Sequence, residues 1–247
     1  MNRSRPAVWL ADLSRHTAAL LAHDRAHAIV PAADRARIGE PVGANRVRER
    51  LATHVLLRLA LAAHRHPTLT HAALAAPLTF GAAGKPALSG GGPAFSVAHT
   101  AGWALVAVGD CASLGVDIET ERILRLSERR ARAIVAAGTA LVENITEADA
   151  GCGVLRAWVR LETVAKYRGD GLARLFRDLG LAGAGFDDLT GLESRARDLA
   201  GTIAVRDLDF GDRTPAAPKL HAAIAGPSAI PAPALHVLGD DLEPLLG

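Results

Sequence analysis

The side chains whose spacing could do chemistry lie in two short stretches. In Leu114-Gly115-Val116-Asp117-Ile118-Glu119 apolar and acidic residues alternate. Successive side chains of a strand point to opposite faces, so Asp117 and Glu119 share one face while Val116 and Ile118 take the other, toward the core. Two carboxylates side by side suit a hard cation such as magnesium, which takes one or two carboxylates and fills its remaining sites with phosphate and water. Alone, such a pair is equally an ordinary exposed strand edge. Further on, Trp158, Glu162 and Lys166 recur every four residues, one stripe of a helix with the acid amino-terminal to the base. A surface ion pair worth about 0.3–0.5 kcal/mol would account for that spacing. Its company argues otherwise: Lys85, Lys166 and Lys219 are the only lysines in the chain, and Arg168-Gly169-Asp170-Gly171-Leu172 follows, with glycines that let backbone approach a ligand closely.

Around these stretches the elements that must position them can be read from periodicity. Val47, Leu51, Val55 and Leu59 recur every four residues with Arg48, Arg50 and Arg58 between them, which predicts an amphipathic helix over 46–63. His64-Arg65-His66-Pro67 reads as its solvated end rather than a metal site, since no third ligand stands at useful spacing. Loops follow through Gly84-Lys85-Pro86 and Ser89-Gly90-Gly91-Gly92-Pro93. Residues 95–99 and 103–108 read as strands, and Thr100-Ala101-Gly102 between them predicts an antiparallel hairpin. Residues 114–119 make a third strand. Residues 123–145 read as helical with weak patterning, and 154–179 as a stronger helix interrupted at Gly169-Asp170-Gly171. Strands are expected over 202–205 and 220–224, and an irregular tail from Pro227, past Pro231 and Pro233. Helix, strands, helix, strands is the order of an α+β fold with two similar halves.

Composition sets outer limits. Hydrophobic residues make up 49% and charged residues 22%, ordinary globular usage, while aromatics are 4%, so the core must be built mostly of Ala, Val and Leu. A net charge of +2 supplies no bulk attraction to nucleic acid or membrane. Cys111 and Cys152 lack metal-ligand spacing and are too few for a disulfide framework, which points to a reducing cytoplasm. The apolar stretch Ala7-Val8-Trp9-Leu10 is broken by Asp12 and Arg15 before it could serve as a signal peptide. No apolar run reaches the about 18 residues that a membrane span needs.

Taken together, these stretches resemble the 4′-phosphopantetheinyl transferases. Gly115-Val116-Asp117-Ile118-Glu119 matches that family's G-[VI]-D-[IV]-E signature, and Trp158 to Lys166 with Gly169-Asp170-Gly171-Leu172 is similar to its W-x-x-K-E-x-x-x-K-x-x-G-x-G-L. Gly84-Lys85-Pro86 matches its G-K-P element, and Phe95-Ser96-Val97-Ala98-His99-Thr100, running on to Gly102-Trp103, resembles its F-N-[IVL]-S-H-[ST] stretch. These elements stand in family order over residues 84–172. The length is that of the long, single-chain, surfactin-synthetase-activating type. Departures are Leu161 where the family keeps a lysine, Ser96 and Ala98 for its asparagine and serine, and no recognisable F-[FS]-x-x-E segment within 120–153.

The resemblance implies a pseudo-dimer of two α+β halves, each a small antiparallel sheet packed by a long helix. Residues 1–112 would take the adenine and 3′-phosphate end of coenzyme A, residues 113–226 the magnesium and the catalytic groups, and 227–247 would form the tail. It implies magnesium-dependent transfer of 4′-phosphopantetheine from coenzyme A to a serine of an apo acyl or peptidyl carrier protein, releasing adenosine 3′,5′-bisphosphate. Asp117, Glu119 and Glu162 would hold magnesium, Glu162 would also be the base, and Lys166 would contact the pyrophosphate. His99 would be catalytic and bind coenzyme together with Lys85, Pro86, Ala98, Lys166, Arg37 and Arg50. A lysine restored at 161 is expected to tighten coenzyme binding unless Arg160 already supplies that charge. A cytoplasmic monomer with no nucleic-acid or membrane partner completes the expectation. Its rivals are a magnesium-dependent phosphohydrolase and a coenzyme-binding protein without turnover.

Overall fold

Residues 5–39, 43–64, 66, 67, 69–142, 153–182, 189–211, 219–239 and 245 are described by the structure, a computed structural model. In chain order they form β1 (Ala7–Asp12), α1 (Leu13–His27), α2 (Ala32–Ile38), α3 (Ala44–Ala63), α4 (His71–Ala75), β2 (Leu78–Phe80) and β3 (Pro86–Leu88). Then come β4 (Ala94–Thr100), β5 (Trp103–Gly109), β6 (Gly115–Thr120), α5 (Glu128–Ala140), α6 (Val154–Arg168), α7 (Leu172–Asp178) and α8 (Leu192–Ala200). β7 (Ile203–Asp207), β8 (Leu220–Pro227) and β9 (Ala234–Val237) close the series. The architecture is α+β, in two units: Met1–Cys111 with Pro231–Gly247, and Ala112–Ile230.

The first unit is organised around β1. Val8 and Leu10 are fully buried, as is Ala11, with Trp9 nearly so, so both faces of the strand are covered and its apolar run belongs to a sheet centre. β1 pairs antiparallel with β5 and parallel with β9, giving the order β4-β5-β1-β9. The sheet is therefore mixed rather than antiparallel. The tail read as irregular supplies an edge strand: the two prolines stand before it, and from Ala234 onward the backbone pairs with β1 in register, Leu235 opposite Val8. On one face, Trp9, Ala11, Ala104, Val106 and Val108 pack with Ala52, Val55, Leu56 and Leu59 of α3, while Val47 and Leu51 of the expected stripe are only partly buried and Arg58, expected on the polar side, is 3% exposed. The end of α3 is partly solvated, with Ala62 and Pro67 exposed and His64 and His66 half-buried. His64 has a 7% exposed side chain and its Nε2 lies 2.7 Å from an Asp110 carboxylate oxygen, which His66 approaches at 3.6 Å, so the histidines tie the helix end to the residue after β5.

In the second unit β6, β8 and β7 form an antiparallel sheet in that order. Ala133, Ile134 and Ala137 of α5 pack with Ala157, Leu161 and Val164 of α6 and with Ile203, Val205 and Ala225 of the sheet. The helix expected from residue 123 starts at Glu128, because Ser127 caps it by accepting from the Arg130 N–H; residues 143–145 of that expectation lie outside the described residues, as does Cys152. The interruption at Gly169-Asp170-Gly171 separates α6 from α7, with φ at +71° for Gly169 and +83° for Gly171, values that favour glycine. Arg168 braces this corner, bonding Asp170 at 2.9 Å through Nε and reaching Asp178 of α7. These glycines serve the turn.

Gly115 is different, because its need comes from packing. A Cβ there would stand 2.1 Å from the Thr163 carbonyl oxygen and 2.5 Å from the Tyr167 nitrogen, distances no side chain tolerates. The bare backbone lets α6 lie directly on β6, and Ser113 Oγ donates to the Tyr167 carbonyl at 2.6 Å beside it. By strand alternation Asp117 and Glu119 share the face of Gly115. The two carboxylates thus point at α6, and Val116 and Ile118, 0% and 1% exposed, are buried on the opposite face.

Candidate functional site

Close approach of α6 to β6 brings two distant parts of the chain into one acidic cluster. Lys166 Nζ donates to Asp117 Oδ1 at 2.8 Å across 49 residues of sequence. Arg122, just beyond β6, forks onto Glu119 with bonds of 3.0 and 3.3 Å to its two oxygens. Glu162, one helical turn before Lys166, faces the same carboxylates: burial pushes its pKa up first, Asp117 adds to the rise, Lys166 opposes it, and Glu119 adds a smaller push. Asp117, 8% exposed, is also pushed up, by burial above all, which outweighs the attraction of Lys166. Three carboxylates and two cations leave one negative charge in excess.

The donors are of the kind a hard dication takes, all of them carboxylate oxygens. The raised pKa values of Asp117 and Glu162 show that the cations already present do not fully offset their burial and mutual repulsion. As folded, however, the cluster is charge-paired, and among the described residues no group of three or more His, Cys, Asp or Glu side chains is arranged to hold a metal. Other motif residues do structural work. Trp158 packs edge-on against Phe176 of α7, ring centres 6.1 Å apart. Leu161 is fully buried in the core. Arg160 is equally buried and forks onto Asp207 at 2.6 and 2.9 Å, so it supplies no charge to a ligand.

A second constellation lies wholly within the first unit. A cleft of about 180 Å³ is lined by Asp34, Arg37 and Ile38 of α2, by Arg50, Thr53 and His54 of α3, by Phe80 of β2, and by Val97 and His99 of β4. The Arg37 guanidinium sits over the Phe80 ring, 3.9 Å from its centre, a cation–π arrangement that holds a flat charged group at the wall. Asp34 does not offset it: its carboxylate is taken by buried Arg58 at 2.6 Å and by the Leu78 N–H at 3.1 Å. His54 Nδ1 is buried with no hydrogen-bond partner among the described residues. Burial lowers its pKa, and Arg58, His99 and Arg50 lower it further against Asp34. Neutral His54, His99 and two arginines around a small cleft form a binding place for a compact anion.

The cleft therefore gathers three of the residues named from the sequence, Arg37, Arg50 and His99, and separates them from others. Ala98 is 3% exposed and lies on the opposite face of β4 from His99. Lys85 and Pro86 sit on the β2–β3 hairpin, Pro86 opposite Phe80, and burial lowers the Lys85 pKa to about 8 with Cys111 nearby. Arg35 is turned away, paired with buried Asp24, and Arg48 is exposed. His54, Thr53 and Phe80 were not singled out in the sequence. The signal for His54 was available, since Arg50, His54 and Arg58 recur every four residues on one stripe of α3.

No protein-family model matches the chain, and no curated protein matches it either. Among the described residues no helix is long and apolar enough to cross a membrane.

Proposed function

We propose that this protein transfers the 4′-phosphopantetheine arm of coenzyme A to a serine of an apo carrier protein. The observation that carries the reading is the convergence of the two motif stretches: Lys166 of α6 bonds Asp117 of β6, and Asp117 and Glu119 both push the half-buried Glu162 carboxyl up. Raised carboxylate pKa values in such a cluster support a functional role, because active sites are where burial and like charge are arranged to shift pKa. Asp117, Glu119 and Glu162 are the residues that would hold magnesium. When bound, the metal would offset charge developing on the bridging oxygen of the pyrophosphate.

The chain's own groups then have separate tasks. Glu162, whose raised pKa makes it a better proton acceptor than an ordinary glutamate, takes the proton from the carrier serine. The serine oxygen bonds to the phosphorus bearing pantetheine, the bond from that phosphorus to the bridging oxygen breaks, and adenosine 3′,5′-bisphosphate leaves. Lys166 moves from Asp117 to a pyrophosphate oxygen, where a compact ammonium suits a single acceptor. In the first unit Arg37, Arg50, His54 and His99 line a cleft suited to a phosphate group. A cytoplasmic monomer is part of the same reading.

The test is to incubate the protein with magnesium, a fluorescent coenzyme A analogue and a panel of apo-carriers; labelled carrier bands are expected, and no band with any carrier contradicts transfer. One observation favours a second reading. Lys166 and Arg122 already pair with two of the three carboxylates, as they would in a coenzyme-binding protein without turnover; tight coenzyme binding with no labelled carrier would select it.

A further inference from the structure

We propose that His23 and His27, one turn apart at the carboxyl-terminal end of α1, form a chelating site for a divalent d-block ion of tetragonal geometry, copper(II) or nickel(II). The site is independent of the transfer reading, since α1 carries none of the groups assigned there. In His23-Asp24-Arg25-Ala26-His27 the two imidazoles stand four residues apart, and on a helix that spacing makes side chains neighbours on one stripe. It is the spacing at which two helical histidines can share one metal. Their ring centres lie 4.4 Å apart with the planes tilted by 46°. Metal–nitrogen bonds of about 2.0–2.1 Å put two ring centres roughly 4.5 Å apart where the bonds meet at a right angle, and roughly 5.2 Å apart at the tetrahedral angle. The observed separation fits the right angle, the arrangement of copper(II) and nickel(II) rather than of zinc.

The surroundings leave room for the ion. His23 is half-buried and His27 exposed, and among the described residues no hydrogen bond or ion pair engages either ring. Asp24 stands between them in sequence but is 1% exposed; its carboxylate accepts from the Val30 N–H at 2.9 Å and pairs with Arg35. Ala19 and Ala26, the exposed neighbours on the same stripe, bring neither bulk nor charge. The carboxyl-terminal end of a helix carries partial negative charge, which favours a cation there. Burial above all, and then His27, hold the His23 pKa below its usual value against the pull of Asp24, and the neutral imidazole is the form that binds metal. Water fills the remaining coordination positions. Magnesium takes oxygen ligands and has no place between two imidazoles, so this site is separate from the carboxylate cluster of the second unit.

The test titrates untagged protein with copper(II) and nickel(II) chlorides by calorimetry and compares the wild type with His23→Gln, His27→Gln and His66→Gln. The last variant asks whether the histidines at the end of α3 bind the ion instead. One tightest site per chain is expected in the wild type. Each α1 variant should weaken that site by about tenfold or more, because one tethered imidazole no longer holds the ion for the other, while His66→Gln leaves it unchanged. Magnesium chloride should give the same response in all four proteins. Copper(II) electron paramagnetic resonance should show a tetragonal signal split by two nitrogens in the wild type and by one in either α1 variant. Melting temperatures without metal should agree, and nickel should raise those of the wild type and His66→Gln but not those of the α1 variants. Absence of copper and nickel binding by the wild type overturns the inference. So does an affinity that survives both α1 substitutions, or one lost in His66→Gln instead.

Discussion

The acidic cluster of the second unit and the basic cleft of the first are built by opposite strategies. In the cluster, a buried and two half-buried carboxylates meet where a glycine lets a helix come too close for any side chain, and burial raises the pKa of Asp117 and Glu162. In the cleft, Arg37 rests on an aromatic ring and Asp34 is taken by Arg58, while burial lowers the pKa of His54, whose Nδ1 has no hydrogen-bond partner among the described residues. Catalysis asks for groups held in an unfavourable state. Binding asks for preformed complementary charge. Mutations in the cluster are therefore expected to trade turnover against stability, and mutations in the cleft to change affinity alone.

The largest effect is expected at Glu162. Glu162→Gln should lower single-turnover transfer by about 10²–10⁴ while leaving the protein no less stable at neutral pH. The sign follows from the raised pKa: the folded state holds this proton more tightly, so wild-type stability falls as pH rises from about 4.5 through the folded value. The glutamine variant lacks that fall, and its advantage in melting temperature should grow across the same window. Magnesium should raise the melting temperature of the wild type by mass action and leave the variant unmoved. A variant that is active and less stable would reduce Glu162 and Lys166 to a helix ion pair.

Next comes Leu161→Lys. The resemblance alone expects this change to tighten coenzyme binding, but the side chain points into the core with no exposed surface. Burying an unpaired ammonium there should cost about 3 kcal/mol or more, read as a lower midpoint in urea. Gly115→Ala should follow at about 1–3 kcal/mol, because α6 must lift off β6, and transfer should fall with it as Asp117 and Lys166 separate. His54→Ala should be smaller, raising the apparent coenzyme constant about tenfold, or about 1.4 kcal/mol, with the maximal rate and stability almost unchanged. A change of rate there would break the division between the two regions.

The smallest effect concerns Lys85. Its pKa of about 8 predicts that an amine-selective reagent at pH 8 modifies it faster than Lys219, measured by peptide mass mapping. Because the folded state releases this proton earlier than the unfolded chain, its contribution to stability should rise with pH between about 8 and 10.5.

How much of this was legible in the sequence depended on range. Strand alternation gave the shared face of Asp117 and Glu119, and four-residue spacing gave the stripe of Glu162 and Lys166, because each is a local property of one element. The direction of the carboxylates was not legible, since it is set by Gly115 against the backbone of Thr163 and Tyr167, a contact between elements. β9 was missed for the same reason: its four residues become a strand only by pairing with β1. Pro231 and Pro233 mark a loop locally and carry no signal for the pairing of Ala234–Val237. His54 was overlooked although it shares a four-residue stripe with Arg50 and Arg58, because that stripe reads as an ordinary polar helix face until α2, β2 and β4 close around it.

The most direct test counts products. Wild-type protein, magnesium, coenzyme A and an apo-carrier that binds it would be followed by intact mass of the carrier and by chromatography of the released nucleotide, with and without a chelator. The account predicts that each carrier gains one phosphopantetheine arm for each adenosine 3′,5′-bisphosphate released, that chelation stops both, and that Glu162→Gln stops both with magnesium present. Release of the nucleotide without any gain in carrier mass, or transfer that continues in the glutamine variant, would contradict it.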